Sequence, residues 1–300
     1  MSVNRLTTPQ DATDAPIRVA SRRLPRVAPY GWPVKPFDKQ HPVRGFLNDP
    51  RIQGQSRSFH FGIDVSAPDG TAVYAVEPGK VHIESPLNVA IESPGREFGY
   101  WHIVPAVSHH QQVAKHQLLG HIAAGWGHVH FAERRAGVYQ NPLRAGAIEP
   151  YADHTSPTIV AIELFAGRKS VPRAGVSGVV DVVAEAFDTT PIPVPPPWDR
   201  KPVSPLRLRW RLLHGAKAAL PWVTGVDFRV HIRNDLFSTV YAPGTKQNHP
   251  NEPGRLRYYV ARGWDTRRLA DGSYRLQVEA EDTEGNKGRA AIGIELANEL

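Results

Sequence analysis

The amino-acid sequence predicts a mainly β protein with two antiparallel β domains. From His41 onwards, short apolar runs are interrupted by Gly, Pro, Asn and Asp, a pattern typical of many short strands. After Thr155, apolar and polar residues alternate along several segments, as in antiparallel sheets with one buried face. The chain has 300 residues, more than one hydrophobic core usually organises, so two domains are expected.

The first half of the chain divides into two regions. Residues 1–40 are rich in Pro, Arg and polar residues and lack a strand or helix period, so we predict an irregular N-terminal extension. Residues 41–150 are predicted to form the first domain, with strands over 71–76 and 79–83. One short helix is predicted in this domain, over 108–119.

Residues 155–298 are predicted to form a β-sandwich of about seven strands. Alternation with a period of two marks its strands over 180–184, 206–212, 226–232, 274–280 and 292–296. The proline-rich stretch 191–197 cannot join the middle of a sheet, because proline lacks an N–H donor. We therefore expect this stretch to be an extended loop.

Composition limits the chemistry and the partners. The chain contains no cysteine, so any metal must be bound by histidine and carboxylate side chains. The net charge of +7 favours anionic partners, but no nucleic-acid-binding motif is present, and nucleic acid is not expected as a partner. No apolar run approaches the roughly 18 residues of a membrane span, and the first 20 residues contain no visible export signal.

Histidine and carboxylate motifs in the first domain predict a metal site. In His128-Val-His130, the i, i+2 spacing on a strand places both imidazoles on one face. His60 and Asp64 come from a separate segment, and Gly62 between them allows the backbone to fold back so that both can bind. Two nitrogens, one carboxylate oxygen and an open fourth position are the arrangement of catalytic zinc, which lowers the pKa of water to about 7.

These motifs resemble the lysostaphin-type (LytM-like) zinc endopeptidases. The similarity spans about residues 41–135 and includes three motifs in the family's order, namely His60-Phe-Gly-Ile-Asp64, Tyr100-Trp-His102 and Gly127-His128-Val-His130-Phe131. The flanking Val73-Tyr-Ala-Val-Glu-Pro-Gly79-Lys-Val81 also fits the family pattern. The resemblance implies an antiparallel LytM-like peptidase domain.

The resemblance also implies a role for each of the five polar residues. In the family, the first His and the Asp of His-x-x-x-Asp bind a single zinc ion together with the second His of His-x-His. The corresponding residues here are His60, Asp64 and His130. The family's remaining two histidines act on the attacking water and stabilise the oxyanion, which implies catalytic roles for His102 and His128.

The sequence departs from the family pattern in two places. The segment 85–96 is compact, where family members have a longer glycine-rich passage, so we expect a shorter or differently lined substrate groove. Trp126 replaces the small residues that are common before the last motif, and we expect it to form a wall of the site. In the second half, 269–274 and 281–286 resemble turns of bacterial immunoglobulin-like modules, which implies an Ig-like β-sandwich domain.

The implied function is zinc-dependent hydrolysis of peptide bonds in bacterial peptidoglycan, by a secreted or cell-envelope enzyme. Two alternatives remain open. The first is a noncatalytic envelope regulator or scaffold, which the presence of all five polar residues disfavours. The second is a zinc peptidase acting on a non-peptidoglycan peptide, for which the compact groove and missing export signal are the motivation. An anionic cell-wall polymer is a further candidate partner, through the arginines at 207, 209, 211, 229 and 233, although a solvated face is the simpler interpretation.

Overall fold

A computed structural model describes residues 29–298, and nearly all of its regular structure is β-strand. The mainly antiparallel β fold predicted from the sequence is therefore confirmed. Most of the predicted N-terminal extension lies outside the described residues. Within residues 29–298, no helix is both long and apolar enough to cross a membrane.

The first domain is built from short strands. These are β1 Val43–Gly45, β2 Pro50–Gln53, β3 Ser56–Phe59, β4 Ile63–Ser66, β5 Ala72–Tyr74, β6 Gly79–Ser85, β7 Asn88–Ser93, β8 Arg96–Trp101, β9 Ile103–Pro105, β10 Gln112–Val113, β11 Leu118–Ile122, β12 His128–Arg135 and β13 Val138–Gln140. The main sheet has the order β1-β4-β12-β8-β7-β6-β10, with β13 paired to β12. A smaller sheet has the order β5-β11-β9, and β2 pairs with β3 as a separate hairpin.

The helix predicted over 108–119 is wrong. This segment contains β10 and the start of β11. One tight turn precedes β10, where Gln111 N–H donates to Ser108 O, and another joins the two strands, where Gln117 N–H donates to Ala114 O. His110 and His116 adopt positive φ angles of 68° and 64°. Left-handed residues interrupt a right-handed helix, so the local backbone follows the turns.

The core of the first domain includes aromatic residues from the end of the predicted extension. Tyr30, Trp32 and Val34 are buried among the main-sheet side chains. The hydroxyl of Tyr30 donates to Oε2 of the buried Glu133 at 2.8 Å. The indole Nε1 of Trp32 donates to the carbonyl of Pro150 at 2.8 Å. Each of these large side chains therefore has its polar atom satisfied inside the fold.

The second domain is a sandwich of two four-stranded sheets. Its strands are β14 Thr158–Ala166, β15 Lys169–Val171, β16 Val179–Phe187, β17 Arg207–His214, β18 Lys217–Asp227, β19 Lys246–His249, β20 Glu252–Arg255, β21 Arg257–Asp265, β22 Gly272–Glu281 and β23 Lys287–Leu296. A short helix, α1, spans Phe237–Val240, with 3-10 turns at Asn234–Leu236 and Thr266–Arg268. The sheets β15-β14-β16-β21 and β18-β17-β22-β23 enclose one core, and the hairpin β19-β20 lies outside them. The immunoglobulin-like assignment stays a prediction.

The strand predicted over 226–232 ends earlier than expected. β18 stops at Asp227, whose carboxylate accepts from the backbone N–H of Arg229 at 3.1 Å. Beyond it the chain leaves the sandwich, and Val230 forms an isolated antiparallel bridge with Gln140 of the first domain. Contact with the first domain therefore replaces the predicted continuation of the strand.

Most of the arginines considered for polymer binding are paired within the second domain. Arg207 contacts Glu281 at 2.6 Å, and Arg209 contacts the buried Glu279. The other pairs are Arg229–Asp227 and Arg233–Asp235, while Arg211 donates to Gln277. Carboxylate partners reduce the charge that this surface presents to an anionic polymer.

The two domains are joined through the β2–β3 hairpin. Phe59, at the end of β3, is buried in the core of the second domain, and its N–H donates to Oδ1 of Asn234 at 2.9 Å. The N–H of Ile52 on β2 donates to Oε1 of Gln247 at 2.7 Å. The buried side chain of Asn48 donates to the carbonyl of Val230 at 2.9 Å. Apolar burial and directional hydrogen bonds together fix this hairpin on the second domain.

Three buried carboxylates lie close together near the domain junction. Asp153, Asp188 and Asp282 have ligand-type oxygens within 4.8 Å of one another. Asp282 accepts from the N–H groups of Glu284 and Asn286 at 2.9 Å, so this segment forms an Asp-stabilised turn. Burial raises the pKa of Asp188 to about 8, and repulsion from the other two carboxylates adds to the effect.

Ionisation of Asp188 is expected to lower the free energy of unfolding as pH rises. The unfolded chain has an ordinary aspartate pKa of about 3.9, so the folded state binds this proton more tightly. The resulting stabilisation is complete below about pH 4 and is lost as pH rises through the folded-state pKa of about 8. In Asp188→Asn, a neutral amide replaces the carboxyl, and this contribution to the pH dependence should vanish.

Urea unfolding of both chains between about pH 5 and pH 8 measures the effect. The stability of the native chain relative to Asp188→Asn should fall by up to about 1.4 kcal/mol for each pH unit. Asp199→Asn is the matched control, because Asp199 is exposed. Parallel pH profiles for the native chain and Asp188→Asn would contradict the expectation.

Candidate metal centre

The pairing of β4 with β12 brings the predicted metal ligands together. Asp64 lies on β4, directly opposite His130 on β12, and His60 lies just before β4. His128 is two residues before His130 on the same strand, so both imidazoles project from one face. Trp101 at the end of β8 lies opposite His130, which places His102 beside the same centre.

Three side-chain atoms of these residues converge. Nε2 of His60 lies 3.1 Å from Oδ1 of Asp64 and 2.8 Å from Nδ1 of His130. Nδ1 of His130 lies 3.1 Å from the same carboxylate oxygen. All three residues are buried. Two imidazole nitrogens and one carboxylate oxygen in so small a triangle fit one zinc ion, which binds such atoms at about 2.0–2.2 Å.

The tautomer of His60 suits metal binding. Its Nδ1 lies 2.9 Å from the carbonyl oxygen of Phe46, which can only accept a hydrogen bond. Nδ1 therefore carries the proton, and the lone pair of Nε2 points towards Asp64 and His130. Metal-binding histidines usually donate their second N–H to a carbonyl or carboxylate in this way.

His130 is held by aromatic packing. Its ring packs against those of Phe61 and Trp101, with centroid distances of 4.4 and 5.0 Å. Its buried Nε2 has no hydrogen-bond partner among the described residues, so Nδ1 is the atom with polar neighbours. Burial lowers the pKa of His130 to about 4, and burial also lowers the pKa of His60. Both imidazoles are therefore uncharged at neutral pH, the form that binds metal.

Asp64 is ionised and fixed in orientation. Burial opposes its charge, but the neighbouring imidazoles of His60 and His128 outweigh burial and hold the pKa of Asp64 well below its usual value. Its Oδ2 accepts from Nη2 of Arg51 at 3.0 Å, which leaves Oδ1 facing the histidines. Gly45 lies against this pair, since a Cβ there would be 2.7 Å from Oδ2 of Asp64.

The two remaining histidines of the motifs lie beside the triangle. Nε2 of His128 is 3.4 Å from Oδ1 of Asp64, and the rings of His128 and His102 are 4.7 Å apart. The His102 ring is stacked on Trp126, at 3.6 Å and with an angle of 10° between the planes. Burial, aided by His128, lowers the pKa of His102 to about 3, so its imidazole is uncharged at neutral pH. Trp126 is 40% exposed and borders the site.

Two arginines of the site were not predicted from the sequence. Arg51 contacts Asp64 as described above. Nη2 of Arg44 lies 2.5 Å from Nδ1 of His128 and 3.0 Å from the carbonyl oxygen of Trp126. No local pattern distinguishes them from surface arginines, because only the pairing of β1 with β4 and the position of β2 bring them to the centre.

A second group of histidines lies elsewhere on the first domain. His82, His109 and His110 have ring nitrogens within 4.8 Å of one another. Nδ1 of His109 accepts from the N–H of Ile83 at 3.0 Å, so its neutral ring carries its proton on Nε2. His82 is paired with Glu92 at 3.0 Å. These hydrogen bonds do not leave three lone pairs directed at a common point.

The described residues thus define a class: a β protein with a candidate metal centre of two histidines and one aspartate. No protein-family model matches the chain, and no curated protein matches it. Solved structures similar to part of the chain include M23 or LytM-type peptidases.

Three of these structures illustrate the extent of the similarity. Helicobacter pylori Csd3 is 21% identical, with a TM-score of 0.32, over 39% of this chain and 34% of Csd3. A zinc-containing peptidase from Vibrio cholerae is 22% identical, with a TM-score of 0.33, over 39% of each chain. The catalytic domain of the antimicrobial peptidase lysostaphin from Staphylococcus simulans is 22% identical, with a TM-score of 0.29, over 33% of this chain and 86% of that domain. The similarity is partial, and the functional conclusion rests on the geometry of the site.

Proposed function

We propose that the chain is a zinc-dependent endopeptidase that hydrolyses peptide bonds in bacterial peptidoglycan. One observation carries the proposal: His60, Asp64 and His130 direct three ligand atoms to one point, while His102 and His128 lie beside it. A site that only bound metal would need no further histidines next to the ligands. Metal ligands with adjacent proton-transfer groups are the arrangement of a metallohydrolase.

The chain's own residues would divide the work of hydrolysis. A zinc ion held by the three ligands would activate water and polarise the peptide carbonyl. The ring of His102 lies beside His128, where it can take part in proton transfer, and stacking on Trp126 holds its orientation. Nε2 of His128 faces the same region, where it can exchange a proton or stabilise an oxyanion. Arg51 keeps Asp64 oriented towards the metal position.

Peptidoglycan as substrate rests on two supports. The motif resemblance implies peptide bonds of the bacterial wall, and the net charge of +7 favours an anionic polymer as a partner. A secreted or cell-envelope location would follow from such a substrate. Digestion of purified peptidoglycan by the zinc-loaded protein, with analysis of the released peptides, tests the substrate directly.

The decisive variant is His128→Ala. The zinc ligands stay intact, so we expect zinc content to be retained while the rate of peptidoglycan cleavage falls by about 10²–10⁴-fold, the usual contribution of a general acid or base. Metal analysis and a cleavage assay on the same preparation measure both effects. His214→Ala is a matched control, because His214 is an exposed histidine of the second domain.

Other outcomes separate the alternatives. Zinc binding without cleavage of any peptide by the native chain would favour a noncatalytic envelope protein. Cleavage of unrelated peptides, with intact peptidoglycan left unchanged, would favour a zinc peptidase with a different substrate. Equal activity of the native chain and His128→Ala would remove His128 from the mechanism.

A further inference from the structure

The buried carboxylates of Asp153, Asp188 and Asp282 come from three separate parts of the chain. Asp153 lies in the connection between the two domains, before β14. Asp188 directly follows β16 and Asp282 directly follows β22, so these two residues extend the two different sheets of the sandwich. Each of the three residues is at most 3% exposed, and their ligand-type oxygens lie within 4.8 Å of one another.

No cationic side chain balances this cluster. Within residues 29–298, none of the three aspartates forms a salt bridge with lysine, arginine or histidine. Other buried carboxylates of the chain are paired with arginine. Glu133 contacts Arg135 at 2.6 Å and Arg144 at 2.8 Å, and Glu279 contacts Arg289 at 2.6 Å. Buried charges in proteins are normally paired or bound to a metal, so the aspartate cluster lacks a positive partner.

One oxygen of the cluster also lacks a hydrogen-bond donor. Oδ1 of Asp153 accepts from the N–H of Thr155 at 2.8 Å and from its hydroxyl at 2.6 Å. Oδ2 of Asp153 is buried and has no hydrogen-bond partner among the described residues. Because Oδ1 is turned towards Thr155, Oδ2 is the oxygen left to face the other two aspartates. A buried carboxylate oxygen without any partner is destabilising, which points to a ligand at this position.

Hydrogen bonds hold the three carboxylates in place. Nδ2 of Asn286 donates to Oδ2 of Asp282 at 2.7 Å and to the carbonyl oxygen of Asp153 at 2.8 Å. The N–H of Thr189 donates to Oδ1 of Asp188 at 2.8 Å. The cluster is therefore fixed by neutral donors, which orient the carboxylates without cancelling their charge.

The donor set fits a calcium ion. Carboxylate oxygens are hard ligands, and a site without histidine or cysteine favours Ca²⁺ or Mg²⁺ over zinc. Calcium–oxygen distances are about 2.3–2.6 Å, so two oxygens on one calcium ion lie up to about 5 Å apart. Magnesium is usually held by only one or two carboxylates together with several waters. A cavity of about 10 Å³ lined by Asp188 and Thr283, among other residues, has room for about one water as a further ligand.

We propose that Asp153, Asp188 and Asp282 form a calcium site that connects the interdomain segment to both sheets of the second domain. The site shares no residue with the candidate zinc centre. Its role is structural, because an ion that binds three separate segments only in the folded chain stabilises their arrangement.

The calcium-free cluster takes up a proton instead. Burial and repulsion from Asp153, Asp282 and Asp49 raise the pKa of Asp188 to about 8, so a proton lowers the charge of the cluster at neutral pH. The pH dependence of stability described for Asp188 therefore applies to the calcium-free chain.

Calorimetric titration of the zinc-loaded chain with calcium chloride, at a pH above the pKa of Asp188, measures the site. One Ca²⁺ should bind per chain, with Kd between about 10⁻⁶ and 10⁻³ M. Asp153→Asn and Asp188→Asn keep the acceptor oxygen Oδ1 but lose a negative charge, and each should weaken binding by at least about tenfold. Asp199→Asn is the matched control, because Asp199 is exposed, and it should bind calcium as the native chain does.

Thermal unfolding provides the second readout. Calcium at about a hundredfold excess over Kd should raise the Tm of the native chain by about 5 °C or more. Magnesium at the same concentration should have a smaller effect. Both cluster variants should lose most of the calcium-dependent shift. In calcium-free buffer above the pKa of Asp188 they should be at least as stable as the native chain, since the amide relieves repulsion between carboxylates.

Three outcomes would overturn the calcium site. The first is a native chain that binds no calcium up to about 10 mM, above the range of known protein sites. The second is calcium binding at native affinity in both cluster variants, because the ion would then lie elsewhere. The third is tighter binding of magnesium than of calcium. Should one cluster variant not fold, the other carries the comparison, and should both fail, the titration of the native chain still decides.

Discussion

Replacing Asp64 by asparagine is expected to lower zinc affinity by more than about a hundredfold and to abolish peptide hydrolysis. Asp64 supplies the only carboxylate oxygen of the ligand triangle and its only negative charge. The amide keeps the shape of the side chain but loses the charge that compensates the cation. Even residues that only orient metal ligands typically contribute 10–100-fold to affinity, so the ligand itself should contribute more.

Competition with a chromogenic chelator and metal analysis measure the affinity of Asp64→Asn. Asp227→Asn is the matched control, because Asp227 is also paired with an arginine, but in the second domain. The control should bind zinc as the native chain does. Zinc binding by Asp64→Asn at native affinity would show that the triangle is not the metal site.

Gly62→Ala is expected to remove zinc binding although it changes no ligand. A Cβ at this position would overlap the carbonyl oxygen of Phe131 and lie 2.8 Å from Nε2 of His130. The backbone of β12 cannot yield without disturbing its pairing with β4, so His130 must be displaced. Overpacking of this kind usually also lowers the free energy of unfolding by about 1–3 kcal/mol.

Metal analysis and thermal unfolding of Gly62→Ala test both parts of this prediction. Gly293→Ala is the control, since Gly293 is also a strand glycine but a Cβ there would meet no atom within 4 Å. That variant should retain the native zinc content and stability. Full zinc occupancy in Gly62→Ala would mean that the strands have more freedom than the packing around His130 indicates.

The sequence was informative where chemistry depends on short-range spacing. The i, i+2 spacing of His128 and His130 and the i, i+4 spacing of His60 and Asp64 survive in any fold that places the two segments on adjacent strands. The structure places all four residues together, with His102 beside them. The alternation that predicted the sandwich likewise depends on neighbouring residues, and β16, β17, β22 and β23 appear where it indicated.

The sequence was uninformative where a contact depends on tertiary structure. Arg44 and Arg51 reach the centre only through strand pairing, which has no local signal. The helix predicted over 108–119 was wrong for a different, local reason. Its polar residues fit a helix surface, but Gln111 and Gln117 each accept a backbone hydrogen bond that stabilises a turn.

The burial of Phe59 in the core of the second domain limits how this protein can be divided or recombined. In a fragment that contained only the first half of the chain, the Phe59 ring would be exposed to water. Phe59 directly precedes His60, so the backbone that positions this candidate metal ligand would be less rigid. The two domains are therefore not structurally independent of each other. A replacement of the second domain by an unrelated one would have to provide a hydrophobic pocket for the phenyl ring of Phe59.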